Sequence, residues 1–425
     1  MTQFLTLHKE FSDKIESIYT RLDTLKDVAD IFLPEGKMKI LNEFKTFDEV
    51  HLAICGYNSS GKTSFLHHFL ENGSFLPAGT GAVTARIVQF SYAPAEKACL
   101  LIHDGGIDSP ASKDPVDLSK YFLSTNAMTS KEKQERLKNL KSVIKEHLAR
   151  PEAIGVLSNE FTEWASHLIE IQIPSPILKL GVIVYDTPGF LLMDAPILVE
   201  NLNALIRARH PSLLFLYDNA TVSEDSRKCF DALRLSLEKI GDVGIFFLNT
   251  KADVSTILRD AEIDELSEEP ELREVLEAER ARRYNLLRDV NEMNSGLPEQ
   301  LNNCDCFDIF SVERPEHPME QAMKGNAIDR IVTFAARHDL RNAEQVSHIM
   351  IHVITTFFDF VLVTNRRSKE EWESLRREAL LWTDQYFQDY SLQLDTIIKE
   401  AERQLPVVFR RNRDNLAKRA KEYEP

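Results

Sequence analysis

Apolar positions near the start of the chain fall three and four residues apart: Phe4, Leu7, Phe11, Ile15, Ile18, Leu22, Leu25 and Phe32. That spacing traces one stripe on a helix, and Leu33-Pro34-Glu35-Gly36 stops it. From Glu49 the pattern changes to short apolar runs separated by helical stretches. Val50–Cys55, Ala98–His103, Leu168–Ile173, Gly181–Tyr185, Ser212–Tyr217, Gly244–Leu248 and Phe307–Phe310 read as strands, and Thr63–Leu70 as a helix. Leu168–Ile173 and Gly181–Tyr185 are expected to neighbour each other around the Pro174-Ser175-Pro176 turn. Apolar runs alternating with helices predict an α/β fold: a mostly parallel sheet with helices on both faces. Two polar insertions interrupt it. Residues 105–160 carry a helical stretch near Ser130–Leu148, and residues 254–300 are densely charged from Leu258 to Val290, as a solvated surface helix would be.

Helical periodicity returns from about Asn326, through Ile331, Phe334, Val346, Ile349, Val353, Phe357, Phe360 and Val361. It continues through Trp372, Leu375, Ala379 and Trp382 until Pro406 breaks it. Three regions follow: an N-terminal helix (1–48), a central α/β domain (49–325) and C-terminal helices (326–425), the two flanks packing as one helical bundle. The most apolar stretch, Ile349–Val363, is short for a bilayer and contains His352 and Asp359, which favours a bundle helix over a membrane span.

Composition narrows the partners. A net charge of −16 argues against general nucleic-acid binding, which needs a basic face. Five thinly spread cysteines and early acidic residues (Glu10, Asp13, Glu16) fit a reducing, cytoplasmic setting. Cys304 and Cys306 lack two further metal ligands at suitable spacing and read as plain strand residues. One segment is basic: Arg403, Arg410, Arg411, Arg413, Lys418, Arg419 and Lys421 are opposed only by Asp414. It is either a solvated helix face or a place to rest on an anionic membrane surface.

Gly56-Tyr57-Asn58-Ser59-Ser60-Gly61-Lys62-Thr63 fits G-x-x-x-x-G-K-[ST], between a strand and a helix that begins by Ser64. Its glycines let backbone N–H groups converge on one oxyanion, and the helix adds the positive end of its dipole. Lys62 supplies an ammonium for the β- and γ-phosphates, and Thr63 a hydroxyl for Mg²⁺. Asp186-Thr187-Pro188-Gly189 ends a strand. Its carboxylate can hold Mg²⁺ through water, and Gly189 can bring its N–H to the γ-phosphate because it lacks a Cβ. Thr250-Lys251-Ala252-Asp253 follows another strand. Asp253 can accept from the two donors on the guanine edge, which adenine lacks, while the Lys251 stem lies along the base. Ser311, after the last strand, suits the remaining loop around the base. The nucleotide is therefore GTP or GDP rather than ATP.

At this point the sequence resembles the dynamin superfamily of large GTPases, closest to its mitofusin and bacterial dynamin-like branch. The resemblance rests on Leu76-Pro77-Ala78-Gly79-Thr80-Gly81-Ala82-Val83-Thr84-Ala85-Arg86, similar to the family's first switch, on the Ser-Ser-Gly-Lys form of the phosphate loop, and on Ile171–Pro176. It covers residues 49–313 well and the flanks only in layout. It implies that Thr84 holds the catalytic water and the Mg²⁺ shell. It implies that Ser59, with the backbone at Gly79 and Gly81, sits near a monovalent cation (K⁺ or Na⁺), and that Asn58 lies close to the attacking water. Phe190 and Leu191 stand where small GTPases carry a water-orienting glutamine. The family shares this absence and relies on a homodimer through the nucleotide face. Arg86 is a candidate arginine finger only by its nearness to Thr84, against a structural or solvated role. His67 and His68 are expected to face one the core and one solvent. The resemblance also implies membrane remodelling, with a location that is cytoplasmic or peripheral at a membrane. The family's stalk and membrane-binding tip exceed the room left here, as they would in a fragment. The competing expectation is a GTP-controlled scaffold with slow or no hydrolysis, using the two charged insertions as partner surfaces.

Overall fold

The structure, a computed structural model, describes residues 49–77, 86–107, 109–111, 114–123, 129–149, 158–189, 196–237, 243–262, 269–289 and 305–364, with a few helical positions between 373 and 385. The chain divides into two compact units, Glu49–Asp339 and Met1–Asp48 with Leu340–Pro425. The expected N-terminal helix, most of the C-terminal helices and the basic segment lie outside the described residues, so the bundle is not described either.

The first of these units is built on a nine-stranded sheet. Its centre is β1 (Val50–Gly56), a seven-residue run buried throughout. β1 pairs in parallel with β6 (Val182–Asp186) on one side and β7 (Ser212–Tyr217) on the other. β8 (Ile245–Asn249) and β9 (Phe307–Ile309) continue the parallel order to one edge. On the far side of β6 come β2 (Val88–Tyr92), β5 (Leu168–Ile173), β3 (Cys99–His103) and the two-residue β4 (Val116–Asp117). Here directions mix: β2 is antiparallel to β6 and parallel to β5, and β3 is antiparallel to β5.

The expected pairing of the strands at 168–173 and 181–185 is corrected by this order. They run antiparallel, as a hairpin would, yet β2 lies between them: Gln89 faces Tyr185 on one side and Glu170 on the other. The turn that joins them includes a short 3₁₀ segment, Leu178–Leu180, lying against both β2 and β6, and it steps over the intervening strand.

Helices cover both faces of the inner sheet. On one, α4 (Pro196–Arg209) and α5 (Glu224–Leu237) bury Leu202, Leu205, Phe230 and Leu233 against Phe215 and Phe247. On the other, α1 (Lys62–Leu70) packs Phe65 edge-on to Phe310, with ring centroids 5.2 Å apart. Phe334 of the long helix α8 (Pro318–Thr364) meets Phe246 at 5.5 Å. The boundary expected at 326 falls inside α8. The first insertion contains α2 (Ser130–Leu148), closed by a Thr129–Glu132 capping box, and α3 (Asn159–Ser166).

The second insertion departs from the solvated reading. After α6 (Val254–Asp260), helix α7 (Glu269–Arg288) buries Leu272, Leu276, Tyr284 and Leu287. It also buries Arg280 and Arg283. Arg283 donates to Asn249 Oδ1 at the end of β8, and Arg280 and Arg330 of α8 approach the buried Asp308 of β9 at 3.7 and 3.2 Å. The charges that suggested a surface helix are partly its anchors. Their aliphatic stems count as apolar surface although their heads do not.

Candidate functional site: a phosphate loop laced to a base loop

The site forms where parallel strands end together. β1 stops at Gly56, whose φ of +145° and contact with the Leu216 carbonyl leave no room for a Cβ. The chain then turns through Ser59, a non-glycine residue with φ +65°, and Gly61, with φ +89°, which starts α1. Left-handed backbone at a residue such as Ser59 is disfavoured and tends to persist where function requires it. Ser60 is buried, and its Oγ has no hydrogen-bond partner among the described residues. Lys62 is buried in the loop, and its Nζ donates to the carbonyls of Gly56 (2.9 Å) and Tyr57 (3.0 Å). Burial lowers its pKa, and Asp186 opposes that. Thr63 is half-buried and Ser64 exposed in the first turn of α1.

Asp186 ends β6 directly beside Ile54 of β1. It is buried, its Oδ1 has no hydrogen-bond partner among the described residues, and burial pushes its carboxyl up to about 6, with Lys62 pulling it down. The group is thus short of donors, which suits a cation. Thr187 locks the motif to the sheet by donating its hydroxyl to Ile54 O at 2.7 Å. A Cβ on Gly189 would collide with Asn58 Oδ1 and stand 2.8 Å from Lys62 Nζ, so the glycine permits a close approach of the two loops.

The base motif joins this loop directly. Thr250 Oγ1 donates to Ser60 O at 2.7 Å. Lys251 takes a left-handed backbone (φ +55°) and pairs its ammonium with Asp218 at 3.0 Å. Asp253 caps α6: it accepts from Ser255 N, Thr256 N and Thr256 Oγ1. Those bonds, the Thr256 hydroxyl foremost, hold its pKa below the usual carboxylate range. A carboxylate offers about four acceptor positions. Three are in use, so a guanine edge must share with or displace the Thr256 hydroxyl. Ser311 is buried after β9, and its hydroxyl is donated to Glu320 at 2.8 Å.

The structure therefore brings Gly56, Asn58, Ser59, Ser60, Gly61, Lys62, Thr63, Asp186, Gly189 and Thr250 together, with Lys251, Asp253 and Ser311 on adjoining loops. Thr84, with Gly79, Gly81, Phe190 and Leu191, lies outside the described residues. Arg86 is taken up by the fold: its guanidinium lies 4.1 Å over the Trp164 ring and donates to the carbonyls of Trp164 and His147. Neither histidine of α1 is fully solvent-facing. Both are half-buried, and His67 Nε2 accepts from the Leu76 N–H at 3.0 Å, its pKa pushed down to about 4 chiefly by burial. Sequence reasoning missed Thr187, Arg283 and Glu320 as supports of the site. Only Thr187 had a local signal, its place inside the Asp-Thr-Pro-Gly motif.

A strand, a glycine-bent loop and a helix holding a buried lysine, with an under-bonded aspartate on the next strand, define a P-loop GTPase fold. Residues 52–252 match the model of the dynamin family, and the chain carries a dynamin-family GTPase domain. Two solved structures are similar, both described as an oligomerised bacterial dynamin pair that provides a mechanism for the long-range sensing and tethering of membranes. They share 19% and 17% identity, cover 94% and 95% of this chain and 53% of their own, and give TM-scores of 0.34 and 0.33. This chain thus spans about half the length of those it matches. No curated protein matches it.

Proposed function

We propose that this domain binds GTP and hydrolyses it to GDP and phosphate, and that a second copy docking on the nucleotide face completes the catalytic arrangement. The observation that carries the reading is the Thr250–Ser60 hydrogen bond, which makes the base-reading loop and the phosphate loop one structure. Phosphoryl transfer needs little more from a protein than positioning and charge neutralisation. Lys62 would release the carbonyls of its own loop and turn its ammonium to the phosphates. The N–H groups of the loop and the start of α1 would cradle the β-phosphate. Thr63, Thr84 and Asp186 would hold Mg²⁺, and the under-bonded Asp186 carboxyl fits that role. Bound there, the ion would offset phosphate charge. Ser59 would sit near a monovalent cation, Asn58 beside the attacking water and Thr84 over it.

Phe190 and Leu191 cannot orient water, which is the reason for assigning a part of catalysis to a second copy. The flanking helices would move with the nucleotide state, and the basic run from Arg403 to Lys421 is where an anionic membrane would be met during remodelling. The test is GTP turnover per molecule across protein concentration, with and without K⁺ and anionic liposomes. Turnover should rise with concentration and fall by at least ~10²-fold in Lys62→Ala, the scale of losing one electrostatic stabiliser of the transition state. Concentration-independent turnover would remove the dimer. Tight GTP binding without turnover at any concentration would favour a GTP-controlled scaffold.

A further inference from the structure

Glu320 lies in the first turn of α8 and is buried. Acidic residues are common there because they complement the helix dipole. This one is turned away from its own helix: the Met319 N–H is taken by His317 Nδ1 at 3.1 Å. Glu320 Oε1 instead accepts from Ser311 Oγ and from the Arg314 N–H, both at 2.8 Å. One oxygen thus closes the segment 311–314 from both ends. That segment leaves β9 against the base motif, because Phe310 N–H donates to Asn249 O at 2.8 Å and Ala252 N–H to Phe310 O at 3.1 Å. The second oxygen, Oε2, is buried with no hydrogen-bond partner among the described residues. A buried carboxyl oxygen left unbonded is expensive, and capping a helix does not require it.

We infer that Glu320 is a positioning residue for the purine base: it holds segment 311–314 as the second wall of the base site, facing the Thr250–Asp253 motif. The inference rests on the guanine-nucleotide reading above and extends it to a residue outside the nucleotide motifs. Residues 313–316 are exposed. The His317 N–H donates to Arg314 O at 2.8 Å and Gln321 Nε2 to Pro315 O at 3.5 Å, but neither bond reaches Ser311, so it is Glu320 that joins the two ends of the segment. The phosphate loop is tied to the base motif through Thr250, with no bond to Glu320.

The experiment uses the full chain and compares wild type with Glu320→Ala, Glu320→Gln and Ser311→Ala, measuring affinity for GDP and for inorganic tripolyphosphate alongside thermal melting. Glu320→Ala should weaken GDP binding by at least ~10-fold while tripolyphosphate affinity stays within ~2-fold, because only the base side is disturbed. Glu320→Gln keeps an acceptor oxygen and should retain most of the GDP affinity. Ser311→Ala removes one of the two bonds, should fall between, and keeps the test alive if Glu320→Ala does not fold. Equal losses for GDP and tripolyphosphate, or no loss in any folded variant, would overturn the inference. A wild-type chain that binds tripolyphosphate but not GDP would overturn the guanine reading and this inference with it.

Discussion

The two halves of the sheet are built to different rules. From β6 through β1, β7 and β8 to β9 the strands are parallel, helices cover both faces, and β1, β7, β8 and β9 are buried at every position. From β2 outward, directions mix and buried positions are interrupted by half-buried or exposed ones. The half-buried face carries a polar network. Ser91 Oγ donates to Glu170 at 2.6 Å, Gln172 donates to the same oxygen at 2.9 Å, and His103 Nε2 lies 3.2 Å from the other. The difference explains where the site is. Parallel strands bring all their C-terminal ends to one edge, so the loops after β1, β6, β8 and β9 converge. A sheet of mixed direction sends successive loops to opposite edges and cannot gather four of them. On this comparison the inner half makes the site and the outer half steadies it.

The strongest way to break that division is a core truncation in the outer half. Ile171 of β5 is fully buried. Ile171→Ala should cost ~2–5 kcal/mol of stability through lost transfer energy and the cavity left behind. GDP affinity measured on the folded fraction should stay within ~2-fold, since a truncation this far from the loops removes no contact to the ligand. Denaturant unfolding and a binding titration on one sample read both quantities. A larger loss of affinity would show that the outer half shapes the site.

The same division decided what was legible in the sequence. Inner strands read as largely apolar runs, and all of them were visible: Ser212–Tyr217 is the same segment in sequence and structure. The motifs at their ends were visible too, because nucleotide chemistry fixes residue type and spacing together. β2 was not seen. Val88–Tyr92 alternates buried Val88 and Phe90 with Gln89, Ser91 and the exposed Tyr92, and five residues of weak alternation look like loop. Missing β2 then made β5 and β6 look adjacent. The anchors of α7 were illegible for another reason. Whether an arginine faces water or Asp308 depends on tertiary neighbours, and its own segment carries no sign of it. Glu320 was hidden in the same way, as one more acidic residue at a helix start.

Within the inner half, Asp308 tests whether burial or ion pairing governs its edge. Burial pushes this carboxyl from 3.8 up to about 6, while Arg280 and then Arg330 pull it down. A folded pKa above the unfolded one means that the group's stabilising contribution is complete below about pH 4 and is lost as pH rises through 6. Asp308→Asn removes the titration. The stability advantage of wild type over this variant should therefore shrink between pH 4 and pH 7, by ~2–3 kcal/mol for a shift of this size. Paired urea melts across that range measure it. An advantage that grows with pH would instead mean that the two arginines outweigh burial, and that β9 is held by charge as much as by packing.

The smallest effect probes the join between base and phosphate loops. Thr250 Oγ1 carries one proton and has two carbonyls in reach, Ser60 O at 2.7 Å and Tyr217 O at 3.2 Å. Tyr217 O already receives the Thr250 N–H at 2.8 Å and the Asn249 amide at 3.3 Å, so the proton belongs to Ser60. Thr250→Val keeps the shape and leaves the Ser60 carbonyl without that donor. The expected loss is ~1–2 kcal/mol, the scale of one buried acceptor left unpaired. If the two loops act as one, part of that loss should appear as several-fold weaker binding of GDP and GTP alike, because what loosens is the loop around the phosphates they share. Thr250→Ser, which restores the hydroxyl, should recover both stability and affinity. A Val variant that loses stability but binds as wild type would separate the loops. The inner half would then be a frame that presents two independent sites.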